Sequence, residues 1–191
     1  MHNEKSELRT RLLTERRALT AEGRAAAADA LAGHAWELAA AGSTVAAYVS
    51  VGAEPGTRPL LDALREDGVR VLLPVLLPDN DLDWAEYTGP DALAPAGRGL
   101  LEPVGPRLGP EAVTGASVVL LPGLAVDRAG LRLGRGGGSY DRVLERLARA
   151  GARPVLAVLL YGHEVLDRVP AESHDRPVDV VVTPAGVLAL G

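Results

Sequence analysis

Between Leu131 and Arg142 the chain reads Leu-Arg-Leu-Gly-Arg-Gly-Gly-Gly-Ser-Tyr-Asp-Arg, joining a glycine-rich loop to arginines, a tyrosine and an acid. These residue types suit a phosphate. Gly134, Gly136, Gly137 and Gly138 can adopt positive φ, bring the backbone close to a ligand and point N–H groups at its oxygens. Arg132 and Arg135 add planar forks of donors that match phosphate geometry. Val143, Leu144 and Leu147 follow at helical spacing, and Gly151 supplies a stop. Ser139 and Tyr140 are therefore expected in the first turn of a helix, where free N–H groups and the positive dipole end favour an anion. The plainer reading of the same residues is a flexible turn with a helix cap. The loop does not follow G-x-x-x-x-G-K-[ST], and its G-x-G lies too far from the preceding strand for a dinucleotide fingerprint.

Four other groups carry chemistry. Nineteen arginines accompany one lysine, Lys5. A solitary lysine in an arginine-biased chain suggests a place that needs a compact charge; Lys5 and Arg9, four apart, project from one helix face. A solvated face is the alternative. Glu54, in Ser50-Val-Gly-Ala-Glu-Pro-Gly-Thr57, leaves the end of a strand, and it can accept hydrogen bonds from a ring bearing amidine-like N–H groups. It reads equally well as an ordinary loop acid beside a helix cap made by Thr57. Gly99-Leu-Leu-Glu102-Pro103 forms a tight polar turn with a structural or a contact role. Asp175, after His174, offers a second carboxylate which with Asp141 suits a Mg²⁺ shared with phosphate oxygens.

The elements that must position these groups are legible from periodicity. Residues 4–19 and 24–41 carry helical spacing, the second with an alanine-rich run that favours helix by propensity alone. Thr44–Val49 reads as a strand, Pro59–Asp67 as a helix, Val69–Leu77 as a strand interrupted by Pro74, and Leu82–Tyr87 as an edge strand. Ser117–Pro122 and Pro154–Leu160 read as buried parallel strands, and Val178–Thr183 as the last strand. A loop of about a dozen residues links Pro122 to the helix after Gly138, an arrangement in which open α/β sheets bind ligands. Strands alternating with helices imply a mostly parallel sheet covered on both faces. Thr88–Gly115, dense in Gly and Pro, is expected to be an irregular excursion serving the active site.

The 191 residues suit one domain spanning 1–191. The absence of cysteine excludes disulfides and thiolate metal sites, and the charged N-terminus lacks the apolar core of a signal peptide. The expectation is a soluble, unprocessed, cytoplasmic protein. A net charge of −5 argues against a nucleic-acid surface, and no apolar span suggests a membrane.

Pro122-Gly-Leu-Ala-Val-Asp127-Arg-Ala-Gly130-Leu-Arg-Leu-Gly134-Arg-Gly-Gly-Gly-Ser-Tyr-Asp141-Arg, with Lys5…Arg9, Glu54…Thr57, Glu102-Pro103 and Pro170…His174-Asp175…Thr183 in order, resembles the 5-formyltetrahydrofolate cyclo-ligase family. The resemblance covers nearly the whole chain. It implies a three-layer α/β/α sandwich of the sugar-phosphate isomerase and CoA transferase type. It also implies ATP- and Mg²⁺-dependent closure of 5-formyltetrahydrofolate, with or without a polyglutamate tail, to 5,10-methenyltetrahydrofolate, releasing ADP and phosphate. On this resemblance Lys5 and Arg9 hold ATP phosphates together with Arg132, Gly134, Arg135, Gly136, Gly137, Gly138, Ser139 and Tyr140. Asp141 and Asp175 bind Mg²⁺. Val49 and Glu54 contact the folate, Arg135 and Ser139 lie where nucleotide and folate meet, and Lys5, Arg135 and Asp141 carry the catalysis. A monomer or weak homodimer is expected.

Two positions depart from the family pattern: Ser139 replaces the first of two tyrosines, and Glu164 stands where a glutamine is usual. Altered folate affinity is the expected result. Two other readings remain open at this level, a catalytically silent folate- or nucleotide-binding paralogue and a sugar-phosphate isomerase-like enzyme on the same fold.

Overall fold

The computed structural model describes residues 2–191. Four α-helices form: α1 (His2–Ala18), α2 (Ala21–Ala35), α3 (Arg58–Glu66) and α4 (Ser139–Arg149). The strands are β1 (Thr44–Ala46), β2 (Arg70–Leu76), β3 (Leu82–Glu86), β4 (Leu93–Pro95), β5 (Leu101–Pro103) and β6 (Val118–Leu121), then β7 (Ala125–Asp127), β8 (Arg132–Leu133), β9 (Val155–Leu159), β10 (Val165–Leu166), β11 (Val180–Thr183) and β12 (Gly186–Ala189). No helix among the described residues is long and apolar enough to cross a membrane.

Seven strands make the main sheet in the order β12-β11-β9-β6-β1-β2-β3. The five central strands are parallel, while β3 and β12 run antiparallel at the edges. One apolar cluster joins α2 and α3 to one face through Leu31, Leu60, Leu61 and Leu64; another joins α4 to the opposite face through Val143, Leu144 and Leu147. This is the expected α/β/α layering. Because β1 is followed by β2 on one side and β6 lies on the other, the connections diverge above the β1–β6 pair. Loops leaving the carboxyl ends of these strands part there and open a crevice.

A second sheet, β10-β7-β8, sits beyond the carboxyl end of β6, and α1 packs on it through Leu12, with Leu124, Leu133 and Val169. The expected dozen-residue loop after β6 is thus a β7–β8 hairpin followed by the glycine loop. Asp127 makes that hairpin: its carboxylate accepts from Ala129 N, Leu131 N and Val169 N at 3.0, 3.0 and 3.1 Å. Gly130 is required in the turn, because a Cβ there would lie 2.4 Å from the Val178 carbonyl oxygen.

Other expectations shift in detail. The second helix begins earlier, at Ala21, where Thr20 accepts from Gly23 N at 3.0 Å, and ends at Ala35, followed by a 3-10 turn over Trp36–Leu38. Gly42 then turns the chain into β1 at φ +82. Pro74 does not interrupt β2. Leu72 O accepts from Ala47 N, so by strand alternation the Pro74 nitrogen faces the same side, beyond the end of β1, where no ladder bond is needed. The segment after β3 is not structureless, since β4 and β5 pair as a hairpin. β11 is not the last strand; Gly186–Ala189 folds back on it.

Candidate active site

The crevice above β1 and β6 is a cleft of about 590 Å³. Its walls come from α1, the loop after β1, the β4–β5 hairpin, the glycine loop and the loop before β11. The segments that carried chemistry in the sequence therefore converge.

Gly138 precedes α4 at φ +79 and Gly136 lies at φ +95, conformations that favour glycine. Ser139, Tyr140 and Asp141 occupy the first turn, as expected, and the free N–H groups of α4 open on the cleft. Arg132 lies beneath the loop with its side chain 7 % exposed. Its Nη1 donates to Pro122 O at 2.8 Å, and its Nη2 reaches Asp141 Oδ1 only at 3.4 Å. Its Nε is buried with no partner among the described residues. Burial lowers the Arg132 pKa, while Asp141 and Tyr140 pull the other way. A buried, incompletely bonded guanidinium beside a helix N-terminus is built for an anion.

Helix α1 supplies the opposite wall. Arg9 donates through Nε to Gly134 O at 2.9 Å, which ties the helix to the glycine loop. Lys5 is 8 % exposed and donates to Asp175 Oδ2 at 3.0 Å and Glu172 Oε2 at 3.1 Å. Burial pulls the Lys5 pKa down, but these two carboxylates outweigh it and hold the pKa above its ordinary value. Burial would raise that of Asp175; the Glu172 N–H and Lys5 overcome this and lower it. Glu172, His174 and Asp175 place ligand atoms within 4.8 Å of one another, a cluster that does not include Asp141.

Glu54 stands on a braced loop. Its Oε2 accepts from Val51 N at 2.8 Å, and its Oε1 lies 3.6 Å from Arg135 Nε. Thr57 precedes α3 but does not cap it. Its hydroxyl donates to Tyr48 O at 2.8 Å and accepts from Ser50 N at 2.9 Å, closing the loop at its base. Tyr48 and Tyr140 are held protonated, since burial and then the Glu54 charge raise both phenols. The β4–β5 hairpin adds an apolar wall at Leu100 and Leu101, and Glu102 Oε1 accepts from Leu76 N at 3.1 Å.

Of the residues expected in the site, Lys5, Arg9, Glu54, Arg132, Gly134–Asp141 and Asp175 all line the cleft. Val49 does not. It packs in the core cluster under α2 and α3; Tyr48, a member of the same cluster, and Val51 line the cleft instead. Glu164 is also away from the cleft, fully buried against Arg16. Sequence reasoning missed Tyr48 and Glu172; the second lay two residues from His174 in a loop that had already drawn attention.

A parallel-centred α/β sheet with a glycine-lined cleft of arginines, a lysine and carboxylates at its switch point defines a protein of the α/β class that binds its ligands at the carboxyl ends of the strands. A sequence profile described as the 5-formyltetrahydrofolate cyclo-ligase family matches residues 1–184. A 5-formyltetrahydrofolate cyclo-ligase of Mycolicibacterium smegmatis is 46 % identical over 192 residues, covering 97 % of each chain. The solved structure of Aquifex aeolicus 5,10-methenyltetrahydrofolate synthetase superposes with a TM-score of 0.80 at 30 % identity, over 97 % of this chain and 92 % of that one. More distantly, eIF2B beta from Chaetomium thermophilum shares the fold alone, with a TM-score of 0.51 at 16 % identity over 85 % of this chain and 50 % of that one. The chain belongs to the 5-formyltetrahydrofolate cyclo-ligase family. Its activity is that of an ATP-dependent ligase of folate one-carbon metabolism.

Proposed function

We propose that the cleft closes 5-formyltetrahydrofolate to 5,10-methenyltetrahydrofolate by phosphorylating the formyl oxygen. A formamide oxygen is a poor leaving group, so N10 cannot displace it as water. Attack of that oxygen on the γ-phosphorus of ATP releases ADP and leaves an iminium phosphate. N10 then attacks the adjacent carbon, phosphate leaves with the C–O bonding pair, and the N10 proton passes to solvent. Such transfer depends on positioning and charge stabilisation, and the folate itself supplies both nucleophiles.

The observation that carries this reading is Arg132, a buried cation with an unpartnered Nε beneath a glycine loop at a helix N-terminus. Arg132, the N–H groups of residues 134–140, Arg9 and Lys5 hold the phosphates. Arg135 lies 3.6 Å from Glu54 and so stands at the border between nucleotide and folate. Glu54 Oε1 takes the pterin N–H groups, with its other oxygen anchored on Val51 N. Ser139 borders the folate.

The residues present fit Mg²⁺, which takes one or two carboxylates together with substrate phosphates. Asp141 is 62 % exposed, and among the described residues its side chain is engaged only by the long Arg132 contact. Asp175 accepts from Lys5 and Glu172 N through Oδ2, leaving Oδ1 without a hydrogen bond among the described residues. These two would hold the ion, which when bound neutralises charge on the phosphate oxygens.

The test follows methenyltetrahydrofolate absorbance, expected to grow only when protein, ATP, Mg²⁺ and 5-formyltetrahydrofolate are all present. Asp141→Asn should lose turnover while remaining folded. Near-parental turnover of that variant at limiting Mg²⁺ removes Asp141 from the metal site.

A further inference from the structure

Two buried charged residues take no part in the reaction above. Arg16 is 1 % exposed and Glu164 0 %. A buried ion pair does little for stability relative to apolar residues, because desolvation offsets the attraction; its geometry is what sets it apart.

Arg16 lies on the face of α1 that carries Lys5, Arg9 and Leu12, at helical spacings of four, three and four residues. Its Nε donates to Glu164 Oε1 at 2.6 Å, and its Nη2 donates to Glu164 Oε2 at 3.0 Å and to Gly123 O at 2.6 Å. Glu164 Oε2 also accepts from Tyr161 N at 3.0 Å. The Arg16 guanidinium lies 5.7 Å from the centre of the Tyr161 ring, and the Tyr161 hydroxyl donates to Ala53 O at 3.0 Å, next to Glu54. One connected set of contacts therefore joins the helix bearing the phosphate cations, the Pro122–Gly123 wall and the loop bearing Glu54.

We infer that Arg16 and Glu164 are positioning residues of the ligase. The pair sets the register of α1 along the sheet, and with it the separation between Lys5 and Arg9 on one wall and Glu54 on the other. A bidentate guanidinium–carboxylate pair is satisfied in one geometry, whereas apolar packing tolerates small slides. Neither residue touches a substrate. The inference rests on assigning Lys5 and Arg9 to ATP and Glu54 to folate.

The experiment compares Arg16→Met, Arg16→Met/Glu164→Gln and Glu164→Gln by thermal unfolding and by separate KM values for ATP and 5-formyltetrahydrofolate. Arg16→Met strands a buried carboxylate and should lower Tm by roughly 10 °C. The double variant removes both charges but keeps an acceptor for Tyr161 N. It should regain most of that Tm while both KM values stay at least about tenfold above the parent's. Recovery of both KM values together with Tm makes the pair a stability element only and overturns the inference. If the double variant does not fold, Glu164→Gln, close in shape, decides: both KM values should rise about threefold, and unchanged values overturn the inference. Glu54→Gln and Lys5→Ala serve as controls, expected to move the folate KM alone and the ATP KM alone. If the controls lack that selectivity, the substrate assignment falls and the inference with it. If they show it and the pair variants move neither KM, the inference alone fails.

Discussion

Arg132 and Arg16 are both buried arginines, yet their replacement by methionine should have unequal consequences for stability. In Arg132→Met, one charge-assisted hydrogen bond to Pro122 O disappears, which is worth about 1.5–3 kcal/mol. Pro122 borders the cleft, so water can replace the lost donor. Against that loss stand relief of the unpartnered Nε, about 1–3 kcal/mol, and relief of guanidinium desolvation. The contact with Asp141 adds little, at 3.4 Å to an exposed acid. These terms cancel to within about 1 kcal/mol, so Tm should move by less than about 4 °C in a chain of this size. Arg16→Met should instead lose about 3–5 kcal/mol, because Glu164 is left charged and buried. Arg132→Met is nevertheless expected to impair function. Losing a phosphate donor should lower kcat/KM for ATP by roughly ten- to a hundredfold. The parent should gain about 2.7 kcal/mol of stability at a hundredfold excess of Mg-ATP over Kd, and Arg132→Met should lose most of that gain. Thermal unfolding with and without Mg-ATP, beside steady-state kinetics, measures both effects. An Arg132→Met protein destabilised as much as Arg16→Met, with its ATP-induced shift intact, refutes the idea that Arg132 waits for a phosphate.

Lys5→Ala should reduce kcat/KM for ATP by roughly ten- to a hundredfold, and Lys5→Arg should recover only part of it, since a planar fork does not replace an ammonium between Glu172 and Asp175. Equality with Arg24→Ala, a half-buried arginine outside the cleft, within about twofold makes Lys5 a structural ion-pair residue only. Glu54→Gln should raise the folate KM much more than the ATP KM; equal effects discard the pterin assignment. The Arg146 hydrogen bonds lower the Asp81 pKa against the opposing effect of burial. Above the unfolded value near 3.9 the carboxylate is ionised in both states and the stabilisation is complete; as pH falls below it, the unfolded chain binds the proton first and stability is lost until the folded pKa is passed. Asp81→Asn should therefore lie about 1–2 kcal/mol below the parent from pH 7 to 5, with the gap closing below about pH 4, as measured by denaturant unfolding. A gap that stays constant down to pH 3 contradicts the pairing.

Much of this architecture was legible along the chain, because its signals are local. Periodicity of apolar residues marks β6, β9 and α4, and the glycine run before Ser139 marks a helix N-terminus, since both depend on neighbours a few residues apart. The same locality let the glycine loop, Lys5…Arg9 and Glu54 be singled out. The strands missed, β4, β5, β7, β8, β10 and β12, are two to four residues long, too short for a period to declare itself, and each exists because a partner strand completes its ladder.

What only the tertiary structure decided is which of these groups meet and which face each one presents. Val49 and Tyr48 are adjacent in sequence and belong to one apolar cluster, yet Tyr48 also lines the cleft and Val49 does not, a difference set by the path of the chain after β1. Thr57 looks like a helix cap and instead clamps a loop, because Tyr48 O and Ser50 N are nearer partners than the first turn of α3. Glu164 looks like a neighbour of substrate and is held by Arg16, 148 residues away. Residue type determines what chemistry a side chain can do. Long-range packing determines whether that capacity faces a ligand or another side chain, because the favourable partner for a buried charge is chosen by distance in space and not by distance along the chain.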